Sequence, residues 1–316
     1  MKDKVEKIKR VIAHNEGQVV EEAPASFDPL RNISLKTIKR ILSMPVQWFH
    51  WATLLLLAAA LSYFFYPGIE NFFVFFPDRR FDVTPEAFGL AYKDVEFMSR
   101  DGKKLHGWFF PGDKAHPVLL HFHGNAGNIS HRLDLIKGLL RKDLQVFIID
   151  YRGFGKSEGR PSEKGVYLDG LAAYDHLVDK EGIAPGNIVL HGHSLGAAVA
   201  VEVSLRRKVR SLILESAFTS TRDMAKTMPL FFIFSPLLPA NYNNLEKATR
   251  LSVPVFIVHG DRDEIVPFSM GERLFAAAPG PKQFLRLEGA GHNDTYMVGG
   301  KQYLDALARF AAESAI

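Results

Sequence analysis

A five-residue stretch near the middle of the sequence has the spacing of a serine nucleophile. Ser194 stands at the centre of Gly192-His-Ser-Leu-Gly196, after an apolar run and before a run rich in small residues. This G-x-S-x-G pattern places a serine on a sharp turn between a strand and a helix. The flanking glycines allow the turn because a Cβ there would meet neighbouring backbone. The stretch therefore predicts Ser194 as a nucleophile, the alternative being an ordinary turn with a capping serine.

A serine hydroxyl needs a general base in order to attack at neutral pH. His292 follows the last strand-like run in a loop of small residues and is the predicted base. Asp263 follows the strand-like run before that one and is the predicted orienting acid, with Asp261 and Glu215 as alternatives. The chain order Ser, Asp, His is typical of a triad in this strand–turn–helix context. Three other histidines near strand ends are interpreted as structural: His191, His193 and His259.

A glycine-containing loop, residues 121–128, follows another apolar run and is suited to bind an oxyanion. Acyl transfer needs two hydrogen-bond donors fixed where negative charge develops. We expect these donors to be the backbone N–H groups of Asn125 and Leu195. A phosphate-binding loop is the alternative, but neither the G-x-G-x-x-G pattern nor a Walker lysine is present. His121 and His123 would point to opposite faces of a strand, so no metal or other cofactor is predicted.

The segments around these residues alternate between short apolar runs and amphipathic runs. The apolar runs predict strands at 92–98, 105–110, 118–122, 146–149, 188–190, 212–214, 255–258 and 284–287. The amphipathic runs predict helices at 130–141, 162–180, 197–207, 269–277 and 294–312. This alternation predicts an α/β fold with a mostly parallel sheet, helices on both faces and an antiparallel hairpin at one edge. The candidate residues fall at the carboxyl ends of strands, where such sheets bind ligands.

Composition limits the classes of protein to which the chain can belong. Its 316 residues suit one large α/β domain with an extension, and its 47% apolar content can build a sizeable core. The net charge of +4 is small for this length, so nucleic-acid binding is not predicted. The chain has no cysteine, which excludes disulfides, thiolate metal sites and a cysteine nucleophile.

The N-terminal region differs in character from the rest of the chain. Residues 1–44 are polar and carry nine basic and six acidic side chains. The following 21 residues, 46–66, contain no charge, have aromatic residues at both ends, and would span about 30 Å as a helix. We therefore predict a transmembrane helix at 45–66. A cleaved signal peptide, a hairpin within one leaflet and a buried core helix are the alternatives.

Charge around this helix predicts its orientation in the membrane. Residues 31–44 carry four basic side chains and no acidic one, whereas residues 67–82 carry both signs. Positive charge favours the cytoplasmic side. We therefore expect a cytoplasmic N-terminal segment and a catalytic domain on the non-cytoplasmic side of the membrane.

Five motifs occur together in a fixed order along the chain. They are His123-Gly-Asn-Ala-Gly-Asn128, Asp150-Tyr-Arg-Gly-Phe-Gly-Lys-Ser-Glu-Gly159, Gly192-His-Ser-Leu-Gly196, His259-Gly-Asp-Arg-Asp263 and Gly291-His-Asn293. The set resembles the α/β-hydrolase superfamily, in the membrane-associated branch that includes protein depalmitoylases and lipid esterases. The resemblance covers about residues 65–312, and residues 1–44 are not part of it. It implies a triad of Ser194, Asp263 and His292, with Asn125 and Leu195 as oxyanion donors.

The sequence indicates the type of reaction more specifically than it indicates the substrate. Residues 67–316 are the predicted catalytic domain, with a short lid at about 216–250. The lid contains the apolar run 228–239, which would suit an acyl chain, although ordinary core packing explains the run equally well. We therefore expect a membrane-anchored serine hydrolase that cleaves lipid-like or small-molecule esters. An acyl-protein thioesterase and a non-catalytic membrane scaffold are the alternatives, and no protein partner is indicated.

Overall fold

The computed structural model describes residues 50, 51, 53, 54, 56, 57, 68, 71–233 and 235–314. The chain divides into two units, Met1–Phe64 and Phe65–Ile316. The described residues between positions 50 and 57 are helical and exposed. The predicted N-terminal segment 1–44 and most of the predicted membrane helix 45–66 lie outside the described residues. Among the helices that are described, none has both the length and the apolar character needed to cross a membrane.

The second unit is built on a large, mostly parallel sheet. The strands found among the described residues are β1 (Phe76–Pro77), β2 (Lys93–Met98), β3 (Lys104–Phe110), β4 (Val118–Phe122), β5 (Ala126–Gly127), β6 (Gln145–Asp150), β7 (Ile188–His193), β8 (Ser211–Glu215), β9 (Val255–Gly260) and β10 (Lys282–Leu287). The main sheet has the spatial order β10-β9-β8-β7-β4-β6-β3-β2. Strands β10 to β6 run parallel, while β3 and β2 add antiparallel pairings at one edge. The predicted sheet and its edge hairpin are confirmed.

Helices cover both faces of this sheet, as predicted. They are α1 (Leu133–Leu140), α2 (Glu163–Asp179), α3 (Leu195–Ser204), α4 (Thr221–Thr227), α5 (Pro229–Phe232), α6 (Asn244–Ala248), α7 (Phe268–Ala277) and α8 (Thr295–Glu313). One apolar core lies under α2, α3 and α7, and a second lies under α1 and α8. Alternate residues of β4 enter opposite cores, so that Leu120 lies in the first and Leu119 in the second. Burial on both faces explains why these strands read as continuous apolar runs.

Two predicted helices differ in detail from the structure. The predicted helix 130–141 is a 3-10 turn, Ile129–Arg132, followed by α1, because Asn128 caps the turn with its side chain. The predicted helix 294–312 is α8, which is interrupted at Gly300, where φ is 48°. The predicted lid region holds only short helices, α4 to α6, with a 3-10 turn between α5 and α6.

Candidate active site

Ser194 lies at the turn between β7 and α3 in a strained backbone conformation. Its φ of 54° and ψ of −114° are values that residues other than glycine rarely adopt. The Ser194 N–H donates to the Glu215 carbonyl at 2.9 Å, and the Ser194 carbonyl accepts from the Ala197 N–H at 3.0 Å. A Cβ at Gly196 would collide with the Phe122 carbonyl at the end of β4. Strain of this kind persists only where the surroundings enforce it, and it concentrates at functional sites.

Three side chains that are far apart in sequence meet at this turn. His292 Nε2 lies 3.0 Å from Ser194 Oγ. On the other side of the ring, His292 Nδ1 lies 2.8 Å from Asp263 Oδ2 and 3.0 Å from Asp263 Oδ1. A proton on Nδ1 directed at the carboxylate leaves the Nε2 lone pair facing the serine hydroxyl. This is the tautomer that a general base requires.

The loop after β9 holds Asp263 in place and keeps it ionised. Asp263 Oδ1 accepts from the N–H groups of Val266 at 2.7 Å and Ile265 at 3.0 Å. His259 Nε2 donates to the Val266 carbonyl at 2.9 Å and lies 3.4 Å from Asp263 Oδ2. Burial alone would raise the pKa of Asp263, but its interactions with His259 and His292 outweigh burial and hold that pKa well below its usual value. The carboxylate therefore stays negative beside the imidazole.

The two alternative acids have structural partners instead. Asp261 accepts from Arg286 Nη2 at 2.9 Å and from the Gly289 N–H at 2.7 Å, so it ties the end of β9 to β10 and the loop that follows. Glu215 accepts from His191 Nε2 at 2.8 Å, from the Tyr303 hydroxyl at 2.8 Å and from the Thr295 hydroxyl. Neither alternative makes a hydrogen bond to His292 among the described residues.

His193, next to Ser194, fixes the backbone of His292, the candidate general base. Its Nε2 donates to the His292 carbonyl at 2.9 Å. Burial lowers the pKa of His193 to about 4, so the ring is neutral at physiological pH and carries its proton on Nε2. The sequence indicated only a structural residue here. The two residues are 99 positions apart, and no local pattern signals their contact.

The loop after β4 passes close to Ser194, the candidate nucleophile. A Cβ at Gly124 would lie 3.2 Å from His193 Nδ1 and 3.7 Å from Ser194 Cβ, so a larger residue would press on the turn. The N–H groups of Asn125 and Leu195 have no hydrogen-bond partner within the described part of the chain, as an oxyanion site requires. The structure thus brings all five predicted site residues to one place.

A segment before the main sheet holds this oxyanion loop in position. β1 pairs in parallel with β5, where Phe76 N–H donates to the Asn125 carbonyl at 2.9 Å and Asp78 N–H to the Gly127 carbonyl at 3.0 Å. The Asn125 side chain also donates from Nδ2 to the Val74 carbonyl at 2.6 Å. Sequence reasoning missed this support, because two-residue strands leave no periodic signal. The residue that supplies a predicted oxyanion donor is therefore fixed by a segment about fifty positions away.

Removal of the Asn125 side chain should impair turnover more than substrate binding. Asn125→Ala keeps the backbone donor but frees the loop from Val74, and misplacement by about 1 Å can cost about 100-fold in rate. We expect kcat for a nitrophenyl ester to fall about 10- to 100-fold with little change in KM. Gln145→Ala is the matched control, because it also removes an amide that donates to a carbonyl, His116 O at 3.1 Å. Equal kcat in both variants and wild type would refute the positioning role.

The buried carboxylate of Glu215 should make stability depend on pH. Burial alone would raise its pKa from 4.5, but the hydrogen bonds from His191 and Thr295 and the nearby imidazoles lower it to about 2. A lowered pKa stabilises the fold above the unfolded value, and this contribution, about 3 kcal/mol, is lost as pH falls from about 4.5 towards 2. The difference in free energy of unfolding between wild type and Glu215→Gln should therefore shrink from pH 6 to pH 3 in urea titrations. A constant difference would contradict this account.

Comparison with known proteins agrees with this fold. A family model described as serine aminopeptidase, S33 matches residues 113–245. An uncharacterized protein of Mycobacterium tuberculosis is 35% identical over 284 residues, which cover 89% of this chain and 99% of that protein. The α/β-hydrolase domain-containing protein WAV2 of Arabidopsis thaliana is 34% identical, over 74% of this chain and 84% of that protein. Protein bem46 of Schizosaccharomyces pombe is also 34% identical, over 74% and 81%.

Solved structures show the same architecture at lower sequence identity. The esterase Pf2001 of Pyrococcus furiosus superimposes with a TM-score of 0.62 at 23% identity, over 74% of this chain and 97% of that one. An acetyl xylan esterase from Paenibacillus sp. R4 gives a TM-score of 0.59 at 19% identity, over 72% and 84%. None of these relatives identifies the depalmitoylase branch that the motifs resemble. The family itself is shown, and the chain belongs to the α/β hydrolases, among relatives that include WAV2 and bem46.

Proposed function

We propose that the protein is a serine hydrolase that cleaves carboxylic esters through an acyl-enzyme on Ser194. The observation that carries this proposal is the continuous path from Ser194 Oγ to His292 Nε2 at 3.0 Å and from His292 Nδ1 to Asp263 at 2.8 Å. The two unpaired N–H groups of Asn125 and Leu195 beside the serine support it further. A non-catalytic scaffold would not need all of these groups in reactive geometry.

The geometry supports the following sequence of steps. His292 removes the proton from Ser194 Oγ as that oxygen attacks the ester carbonyl, and the N–H groups of Asn125 and Leu195 stabilise the resulting oxyanion. The imidazolium, stabilised by Asp263, then protonates the leaving alcohol, and the acyl group remains on Ser194. Water activated by the same imidazole cleaves the acyl-enzyme, releasing a carboxylic acid. The residues acting in this scheme are those predicted from the sequence.

The surface around the site favours a lipid-like substrate. Phe72, Phe73 and Phe76 are 75%, 52% and 56% exposed. Apolar side chains of the lid segment 228–237 are exposed to a similar degree, up to 82% at its last residue. The rings of Phe73 and Phe231 are in edge contact, with centroids 5.3 Å apart. The exposed apolar side chains of these two segments are here called the apolar patch: Phe72, Phe73, Phe76, Met228, Leu230, Phe232, Ile233 and Leu237.

The apolar patch borders the candidate active site. Phe76 is hydrogen-bonded to Asn125 of the oxyanion loop, and the lid segment follows β8 at the carboxyl ends of the strands. Soluble proteins rarely leave a contiguous apolar area of this kind unless it binds a partner, a ligand or a membrane. The uncharged stretch 46–66 precedes the patch in sequence, which supports membrane anchoring. The proposed substrate is therefore an acyl ester presented at or near a membrane surface.

Hydrolysis of nitrophenyl esters from acetyl to palmitoyl length should depend on Ser194. We expect Ser194→Ala to lose at least about 1,000-fold in kcat at every chain length, because no nucleophile remains. Acyl thioesters and aminoacyl nitroanilides should be measured in parallel, because the family model is described as an aminopeptidase and a thioesterase uses the same triad. Ester turnover should exceed both. Wild-type ester activity no higher than that of Ser194→Ala would overturn the proposal.

Changes in the apolar patch should affect long acyl chains selectively. Replacing Phe232 and Ile233, 60% and 77% exposed, by serine should lower palmitoyl ester turnover several-fold and leave acetyl ester turnover unchanged. Met98→Ser is the matched control, because Met98 is 58% exposed but lies on the edge strand β2. An equal loss for acetyl and palmitoyl esters would remove the support that the patch gives to a lipid-like substrate.

The proposed membrane orientation places the C-terminus outside the cytoplasm. It rests on the four basic residues and no acidic residue in 31–44, immediately before the uncharged stretch. A C-terminal alkaline phosphatase fusion, which is active only outside the cytoplasm, should therefore be active. A C-terminal fusion to a fluorescent protein that folds only in the cytoplasm should be dark, and the reverse pair of results would invert the topology.

A further inference from the structure

The loops that follow β9 and β10 leave the sheet side by side at the edge where the candidate active site lies. We call residues 261–264, which include Asp263, the acid loop, and residues 288–293, which include His292, the histidine loop. β9 and β10 pair in parallel along their whole lengths. Because the carboxyl ends of parallel neighbours lie at the same edge of a sheet, the two loops are brought together.

The first residues of the acid loop hold the histidine loop through its backbone. The Arg262 N–H donates to the Ala290 carbonyl at 3.0 Å. Asp261 Oδ1 accepts from the Gly289 N–H at 2.7 Å. These contacts fix the start of the histidine loop, one position after another, before the chain reaches His292.

Glu264, the last residue of the acid loop, reaches the backbone of His292 itself. Its Oε2 accepts from the His292 N–H at 3.3 Å. On the other side of the same residue, His193 Nε2 donates to the His292 carbonyl at 2.9 Å. Glu264 follows Asp263 and His193 precedes Ser194 in the chain. The backbone of His292 is therefore held by the chain neighbours of the two residues that its ring contacts.

The glycine before His292 leaves the space that this carboxylate needs. A Cβ at Gly291 would lie 2.8 Å from Glu264 Oε2, which is closer than two such atoms can pack. The φ of Gly291 is not positive, so backbone conformation alone does not require glycine here. The glycine in the Gly291-His-Asn293 motif is therefore explained by the close approach of Glu264.

We propose that Glu264 is a positioning residue that acts on the general base, His292, through its backbone N–H. The imidazole is joined to the backbone by only two rotatable bonds, so a displaced N–H moves Nε2 away from Ser194 Oγ. Glu264 is exposed and its contact is long, so its removal should cost much less than the loss of a triad residue. Because it concerns the same base, this role of Glu264 rests on the proposed function.

Ester kinetics of two Glu264 variants test whether this hydrogen bond matters. We expect Glu264→Ala to lower kcat for nitrophenyl acetate about 3- to 10-fold without changing KM, because a displaced base is costly while His193 still holds the carbonyl. Glu264→Gln should retain wild-type kcat, because an amide oxygen also accepts from the N–H. Glu288→Ala, at an exposed glutamate of the histidine loop, is the matched control and should equal wild type. Equal losses in Glu264→Gln and Glu264→Ala, or a change in KM alone, would overturn the positioning role.

A further variant displaces the carboxylate without removing it. Gly291→Ala puts a methyl group against Glu264 Oε2, the flexible end of that side chain, which can turn away at little cost. We expect this variant to lose as much kcat as Glu264→Ala, and the double variant to lose no more than either single one. Losses that multiply in the double variant would contradict a shared effect through the His292 N–H.

Hydrogen exchange at the His292 amide tests the contact independently of turnover. The full-length proteins would be compared by mass spectrometry with fragmentation to single residues, and we expect faster exchange in Glu264→Ala than in wild type or Glu264→Gln. Equal exchange rates in all three, or wild-type kcat in Glu264→Ala, would overturn the proposal. Failure of the hydrolase function would instead appear as wild-type ester activity no higher than that of Ser194→Ala, and the exchange rates would still decide whether Glu264 holds His292.

Discussion

The strained backbone of Ser194 is the constraint on which the rest of the site depends. A serine with φ of 54° is unfavourable in isolation, so its neighbours must hold it there. Gly196 lets α3 approach the end of β4, and the Glu215 carbonyl of β8 binds the Ser194 N–H. Ser194 is thus fixed between β4 and β8, the two parallel neighbours of its own strand β7. A parallel sheet provides this arrangement because the carboxyl ends of adjacent strands lie at the same edge.

The other parts of the site are joined to this turn by contacts over long sequence separations. His193 holds the carbonyl of His292, and Asp263 orients the ring of His292 from the loop after β9. Val74 and strand β1, which precede the main sheet in sequence, hold the predicted oxyanion loop in place through hydrogen bonds with Asn125. Preorganised donors and a fixed base are effective because they do not need to reorganise during reaction. The site is therefore a property of the assembled domain rather than of any single motif.

The sequence predicted those parts of the site whose residues are contiguous in the chain. The serine turn was recognisable because its glycines and its strand and helix are contiguous, and the parallel sheet was recognisable from continuous apolar runs. Asp263 and Asp261 follow the same strand, so only the fold shows which of them faces His292 and which binds Arg286. The hydrogen bonds from Asn125 to the Val74 carbonyl and from His193 to the His292 carbonyl join residues far apart in the chain, and no periodic pattern in the sequence indicates them. The interruption of α8 at Gly300 was also not evident, because glycine occurs within helical patterns without breaking them.

The central claim, that Ser194 is the nucleophile activated by His292 and Asp263, can be tested without knowledge of the natural substrate. The full-length protein would be treated with a fluorophosphonate probe, digested, and examined by mass spectrometry, with Asp263→Asn in parallel. The account predicts one adduct, on the peptide containing Ser194, that forms much more slowly in Asp263→Asn because the imidazole loses its orienting charge. An adduct on another residue, no adduct on Ser194 in the wild type, or equal labelling rates in the two proteins would contradict it.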